Sequence, residues 1–341
     1  MKNKGFTILE FLITTVIMAI IMGAIYYTYA NLFKKSRTEI YYQESELEKN
    51  IGLELLRLDI EHAGFGISSI EECPSLRWGN AFPLPPNCDD DLNFPRNVLV
   101  IRSMINNADT TELGWVFVDC STGNWPTSPP LLIDERFDKT NNKLIFIDAS
   151  TGNFEDIGTF GICPNNRVYL AYPYQDTTNM DNCKNQIYCH RIVYKIALTS
   201  SDDTCHPNTR NLIRGIDGTS GSGGYPVISC VGDFKILVDI DIDNDGISDM
   251  EYQEYNLLDI NNNGVVDASE IMRALKRVHV YILMQVGKKD PKYNFPKTKL
   301  TLEEPTGTVV EFDLPSVIGT DYQYYRWKIF KISVNPMNLS K

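Results

Sequence analysis

From Phe6 to Tyr29 the chain is nearly all apolar, and polar residues only become regular after Phe33. At about 1.5 Å of rise per residue, an apolar helix of this length spans the hydrocarbon core of a bilayer. We read residues 6–33 as a transmembrane segment, ended by Lys34, Lys35 and Arg37. The pattern then changes to a stripe. Ile40, Leu47, Ile51, Leu55 and Leu58 recur at spacings of three, four and seven, while Glu44, Glu46, Glu48 and Lys49 fall largely off that line. This predicts an amphipathic helix over 34–64 whose stripe packs against the rest of the protein. Gly64 and Gly66 stop it. Gly23 is a weak point where the membrane half could extend or unwind.

Beyond residue 66 the period shortens to two. β-type runs appear at Asn97–Ile101, Trp115–Val118, Lys143–Ile147, Arg167–Tyr172, Ile187–Ala197, Phe234–Ile240, His279–Gln285, Val309–Phe312 and Tyr325–Val334. Clusters of Pro, Gly, Asn and Asp separate them, and Thr219–Gly224 reads as a flexible connector. The predicted class is α+β. A long N-terminal helix packs on an antiparallel sheet, and residues 65–341 form one head with long loops.

The composition is that of a folded chain, and the net charge of −12 makes nucleic acid an unsuitable partner. The acid excess is concentrated in Asp239–Asp249 and Asp259–Glu270, which points to cations. The eight cysteines are Cys73, Cys88, Cys120, Cys163, Cys183, Cys189, Cys205 and Cys230. They are even in number, lie in loop-rich surroundings and include no CxxC pair, which favours disulfides over zinc. Cys73 with Cys88 and Cys183 with Cys189 are close enough in sequence to pair. Four scattered histidines, with no GxSxG or HExxH, leave no catalytic constellation, so we expect no enzyme.

Asp259, Asn261, Asn263, Val265, Asp267 and Glu270 occupy places one, three, five, seven, nine and twelve of a calcium-loop template, with Gly264 at six. Asp241, Asp243, Asp245, Ile247 and Asp249, with Gly246 at six, form a second match. Its twelfth place is Tyr252, so the bidentate glutamate is missing there. The short separation leaves no room for an ordinary pair of helix-flanked loops. We expect one or two Ca²⁺ ions in a segment over 239–272, followed by a short helix from Ala268 to about Val278. Acidic groups that repel each other until a cation arrives would make calcium a staple of the head.

Glu10 is the remaining anomaly. A carboxylate this deep in a membrane helix is costly and marks function. It follows a short basic stretch, Met1–Gly5, whose Lys2 and Lys4 favour the cytoplasmic side. Residues 4 to 13 (Lys4, Gly5, Phe6, Thr7, Ile8, Leu9, Glu10, Phe11, Leu12, Ile13) resemble the leader of type IV prepilins and type II secretion pseudopilins. The resemblance implies a 1–5 leader cut between Gly5 and Phe6 by a prepilin peptidase, N-methylation of Phe6, and subunit docking guided by Glu10. Loss of the leader with its two lysines would take the side-chain charge from −12 to −14.

Further segments are similar to PilW-type minor pilins. They are Leu47–Asn50 with Leu53–Phe65, Asn211–Arg214 followed by Pro226–Phe234, Ile271–Val278, and Tyr325–Phe330 with Val334–Leu339. Residues 67–205 resemble nothing we can name, and the second full loop is an insertion relative to that family. The resemblance implies a single-pass inner-membrane protein with its head in the periplasm, passing to the pilus or cell surface. Its function would be a minor pilin that primes pilus assembly and sits at the tip. Its partners would be other minor and major pilins, the inner-membrane assembly platform and a tip adhesin. A J-type pseudopilin of a type II secretion system, and a pilus-tip adhesin, are the alternatives.

Overall fold

A computed structural model describes residues 8–65, 76–78, 98–103, 114–126, 131–135, 137, 143–151, 154–173, 181–184, 187–200, 204–216, 224–243, 245–252, 259, 261–266, 268–305 and 307–339. The side chains of 34, 35, 37–48, 131, 154, 157, 181–184, 187–189, 198–200 and 250–252 are left aside. The chain divides into two units, Met1–Glu48 and Lys49–Lys341. Helix α1 (Ile8–Glu61) supplies the described part of the first and the opening of the second. Gly23 does not interrupt it.

In the second unit the chain first lays down β1 (Leu76–Trp78) and β2 (Val98–Ser103). It then forms β3 (Val116–Asp119), β4 (Leu131–Ile133), β5 (Lys143–Asp148), β6 (Phe154–Thr159) and β7 (Val168–Pro173). Next come β8 (Asp181–Lys184), β9 (Ile187–Ser200), β10 (Arg210–Ile216) and the long β11 (Tyr225–Ile240). After the first acidic loop come β12 (Met250–Tyr252), helix α2 (Ala268–Ala274) and β13 (Leu275–Val286). A hairpin of β14 (Lys299–Glu303) and β15 (Val309–Asp313), a short helix α3 (Leu314–Val317) and β16 (Arg326–Val334) complete the order.

All nine predicted strands are present, and every pairing is antiparallel. They do not form one sheet. The main sheet runs β1-β2-β9-β10-β11-β13-β16, with β8 on β9 and β12 on β11. Strands β4-β3-β7-β5-β6 form a separate five-stranded sheet. That sheet has its own core of Val116, Val118, Leu144, Phe146, Tyr169 and Ala171.

Strand β13 shows why the main sheet is the centre. Val278, Val280, Ile282 and Met284 enter one core, and Tyr281 and Leu283 enter another. Alternate side chains point to opposite faces, so a strand that is apolar at nearly every position is one covered on both sides. One face takes Leu56, Ile60 and Ala63 from the end of α1 and just beyond it. The other takes Val310, Phe312 and Leu314 from the β14–β15 hairpin and α3. Full burial of a side chain such as Leu56 or Ile60 is worth roughly 1.5–3 kcal/mol.

Two expectations need correction. The buried line of α1 is Lys49, Gly52, Leu56, Asp59 and Ile60, not the stripe through Ile51, Leu55 and Leu58. Ile51 is 62% exposed and Leu55 and Leu58 are half-buried; the side chains of Ile40 and Leu47 fall outside the described set. An apolar count passes over the true line because it holds two charges and a glycine. The helix after the second loop also ends at Ala274, not near Val278. Leu275–Val278 pair with β11 and β16, and sheet pairing wins there over local helical pattern.

Candidate functional site

Glu10 lies in the first turn of α1, exposed among Ile8, Leu9, Phe11, Leu12 and Ile13. The Thr14 hydroxyl donates to the backbone carbonyls of Glu10 and Phe11, both at 2.9 Å, so a polar side chain here satisfies itself within the helix. Ile8–Phe33 is the one helix among the described residues long and apolar enough to cross a membrane. So large an exposed apolar surface is the mark of a segment whose surroundings are not water. Gly5 and Phe6, the two sides of the expected cleavage, lie outside the described residues.

The end of α1 is bound to the sheet by charge. Asp59 accepts from Arg214 Nε at 2.6 Å and Nη2 at 3.2 Å, and from the Tyr194 hydroxyl at 2.6 Å. All three groups are buried, and burial pushes the Tyr194 phenol well above its ordinary value. Sequence reading assigned none of them a role, yet Asp59 and Arg214 belong to two of the segments quoted for the minor-pilin resemblance. Two turns earlier, Gly52 lies so close to β11 that a Cβ would stand 2.2 Å from the Val227 carbonyl oxygen. Lys49, also buried, donates to the Gln285 carbonyl at 3.0 Å. At the far end, the Met337 N–H reaches the Glu61 carbonyl at 3.0 Å, and the Gly64 N–H reaches that of Arg102 at 2.8 Å.

The two acidic loops share one internal pattern. In the first, Asp241 accepts the N–H groups of Asp245 and Gly246, Asp243 accepts that of Asp245, and Asp245 accepts that of Ile247. In the second, Asp259 accepts from Asn263 and Gly264, Asn261 from Asn263, and Asn263 from Val265. Gly246 and Gly264 both have φ +87°, a conformation that glycine alone adopts without strain. The same sequence template therefore folds to the same turn twice.

The closures of the two loops differ. Glu270, in the first turn of α2, is buried and accepts the Asn261 N–H at 3.0 Å, so the twelfth residue returns to the start of its loop. In the first loop the twelfth residue is on β12, and the closing contact comes from Asp249, which accepts the Ile242 N–H at 2.7 Å. Carboxylate oxygens of Asp241, Asp243 and Asp249 lie within 4.8 Å of one another. The Lys276 ammonium stands 3.2 Å from the buried Asp241 and offsets part of that charge. Donors that are all oxygen suit a hard cation such as Ca²⁺. Asp267, the ninth position of the second loop, lies outside the described residues.

Two disulfides are described. Cys120–Cys163 joins the end of β3 to the loop before β7, and Cys205–Cys230 joins the approach to β10 with β11. Cys73 and Cys88 lie outside the described residues, as do the side chains of Cys183 and Cys189, and with them both suggested pairings. Beside the first bridge, Asp148 accepts from the Ser150 hydroxyl and from Arg167, which hold its carboxyl down at about 2. Sequence reading also missed a ladder across three strands of the main sheet. His279 contacts Asp239 through Nε2 at 3.1 Å and Ser333 through Nδ1 at 2.7 Å. Ser333 is directly opposite His279 on paired strands, and we read the contact as cross-strand stabilisation of Asp239 beside the first loop.

Comparison with known proteins adds one finding. Residues 1–26 match the prokaryotic N-terminal methylation motif. No curated protein and no solved structure matches the chain. The motif coincides with the start of the membrane-length helix and includes Glu10. A 1–26 methylation motif running into an exposed apolar helix is the signature of type IV pilin-like proteins and pseudopilins, and this chain carries it.

Proposed function

We propose that the protein is a minor type IV pilin: a membrane-anchored subunit that primes pilus assembly and occupies the tip, with its head outside the cytoplasm. The observation that carries this is the methylation motif at the head of a membrane-length helix. A head built on three sheets supports the minor role, because so bulky a head repeats poorly along a regular filament. Gly5 and Phe6 would flank the processed bond, and Glu10 would meet the N-terminal amine of a neighbouring subunit. A carboxylate in hydrocarbon gains most from such a partner. Glu10→Ala should leave membrane insertion intact and reduce surface piliation about tenfold or more, as counted by microscopy of the mutant strain. Normal piliation would remove the docking role. Loss of protein secretion with normal piliation would instead mark a pseudopilin.

The head is further proposed to take up Ca²⁺. Asp259, Asn261, Asn263, the Val265 carbonyl, Asp267 and Glu270 would hold one ion. Asp241, Asp243, Asp245, the Ile247 carbonyl and Asp249 would hold a second, weaker one. Bound calcium would supply charge neutralisation and order, with no part in a reaction. Chelation should lower the Tm of the full-length protein in detergent by about 5 °C, and Glu270→Ala should abolish most of that response. An identical Tm with and without calcium would overturn the metal reading.

A further inference from the structure

The first acidic loop has no cation of its own. Residues 241–252 carry five carboxylates and no lysine or arginine. Oxygens of Asp241, Asp243 and Asp249 lie within 4.8 Å of one another, and like charges this close repel until a cation balances them. Asp241 is buried, where an unbalanced carboxylate costs most.

Among the described residues, a cation arrives from elsewhere in the chain. The Lys276 ammonium stands 3.2 Å from Asp241 Oδ2, the same oxygen that accepts the Gly246 N–H at 2.9 Å. The Lys276 side chain is only 23% accessible, so it is packed in place beside the loop.

An irregularity in the main sheet aims it there. Strands β11 and β13 pair Asp239 with Arg277 and Ile240 with Leu275, and the register shifts between the two pairs. Lys276 is the residue left over on β13. A β-bulge of this kind takes its extra residue out of the ladder and redirects the side chain. The Asp241 N–H bonds to the Ala274 carbonyl at 2.8 Å, which ties the loop to the bulged segment. The next residue, Arg277, serves other groups: it lies 4.0 Å from Asp239, and its Nε donates to Asn335 at 2.9 Å.

We propose that Lys276 is the built-in counter-ion of the first loop: it balances Asp241 when calcium is absent, competes with calcium for that carboxylate, and so sets the affinity of the loop. This deepens the calcium reading of the first loop and rests on it. A dication entering the loop must displace the ammonium or face its charge at short range, and either weakens binding. The lysine keeps the turn balanced at low calcium, and the ion takes over at high calcium.

The test uses full-length protein in detergent. Calcium is titrated by calorimetry in an Asp259→Ala, Glu270→Ala background, which removes ligands of the second loop. Lys276→Met should tighten binding at the first loop by roughly tenfold or more, and Lys276→Arg, which keeps the charge, should stay within about threefold of its parent. Arg277→Met, which removes a neighbouring charge from outside the loop, should change the affinity by less than about threefold. Melting of the otherwise unaltered chain gives a second readout. Lys276→Met should lower Tm by about 3 °C in chelator, and saturating calcium should bring it level with the parent.

Equal calcium affinity in Lys276→Met and its parent would overturn the proposal and leave the calcium reading standing. Tightening by Arg277→Met as large as that by Lys276→Met would also overturn it, since overall charge would then explain the gain. No calcium binding in either protein would overturn both the proposal and the calcium reading of this loop.

Discussion

The stretches Ile8–Phe33 and Lys49–Glu61 belong to the same helix, yet they obey opposite rules of burial. In the first, large apolar side chains are exposed; Ile8 is 83% accessible. In the second, charged groups are buried: Lys49 is 3% and Asp59 1% accessible, while Ile51 faces out. Neither stretch would be placed correctly by asking only which residues prefer water. The first needs surroundings that are not water, and its methylation motif says which. The second shows that a buried charge is tolerated where its partners are already fixed, as Arg214 and Tyr194 are on adjacent strands.

That comparison breaks most sharply at Asp59. Asp59→Ala strands the Arg214 guanidinium in the core and should destabilise the head by about 3–5 kcal/mol, measured by urea unfolding of the detergent-solubilised protein. Pairing Asp59→Leu with Arg214→Met should restore much of the loss. A single-variant cost below about 1 kcal/mol would show that the ion pair does not fasten the helix.

The close approach at Gly52 offers a second break. Gly52→Val must push the helix off the Val227 carbonyl, and a loss of roughly 2–3 kcal/mol is expected in the same unfolding assay. An unchanged midpoint would mean the helix can rise from the sheet without cost. The smallest expected effect sharpens the contrast: Ile51→Ser, on the exposed stripe, should shift stability by no more than about 0.5 kcal/mol. A loss as large as that at Gly52 would put the predicted stripe back against the sheet.

The acidic loops show how far local sequence reaches. Places one, three, five and six fix a turn through contacts between near neighbours, so both loops could be read directly and fold alike. Their closures depend on the secondary structure that the chain enters next. In one loop it enters helix α2, which carries Glu270 back; in the other it enters strand β12 beside β11. The nine strands were legible for the same local reason, since period-two runs between turn residues need no partner to be recognised. The short β1, β4, β8 and β12 carry too few residues to show a period.

The sequence by itself determined the membrane-length helix, the methylation motif with Glu10, the antiparallel β character of the head and the two acidic turns. Each rests on residues within a few positions of one another, or on composition summed over one segment. Tertiary structure alone decided the split into three sheets, the face of α1 that is buried and the Asp59–Arg214–Tyr194 clamp. Those join residues far apart in the chain. Which partners meet is set by register and by packing on both faces of the sheet, and no local pattern encodes that choice.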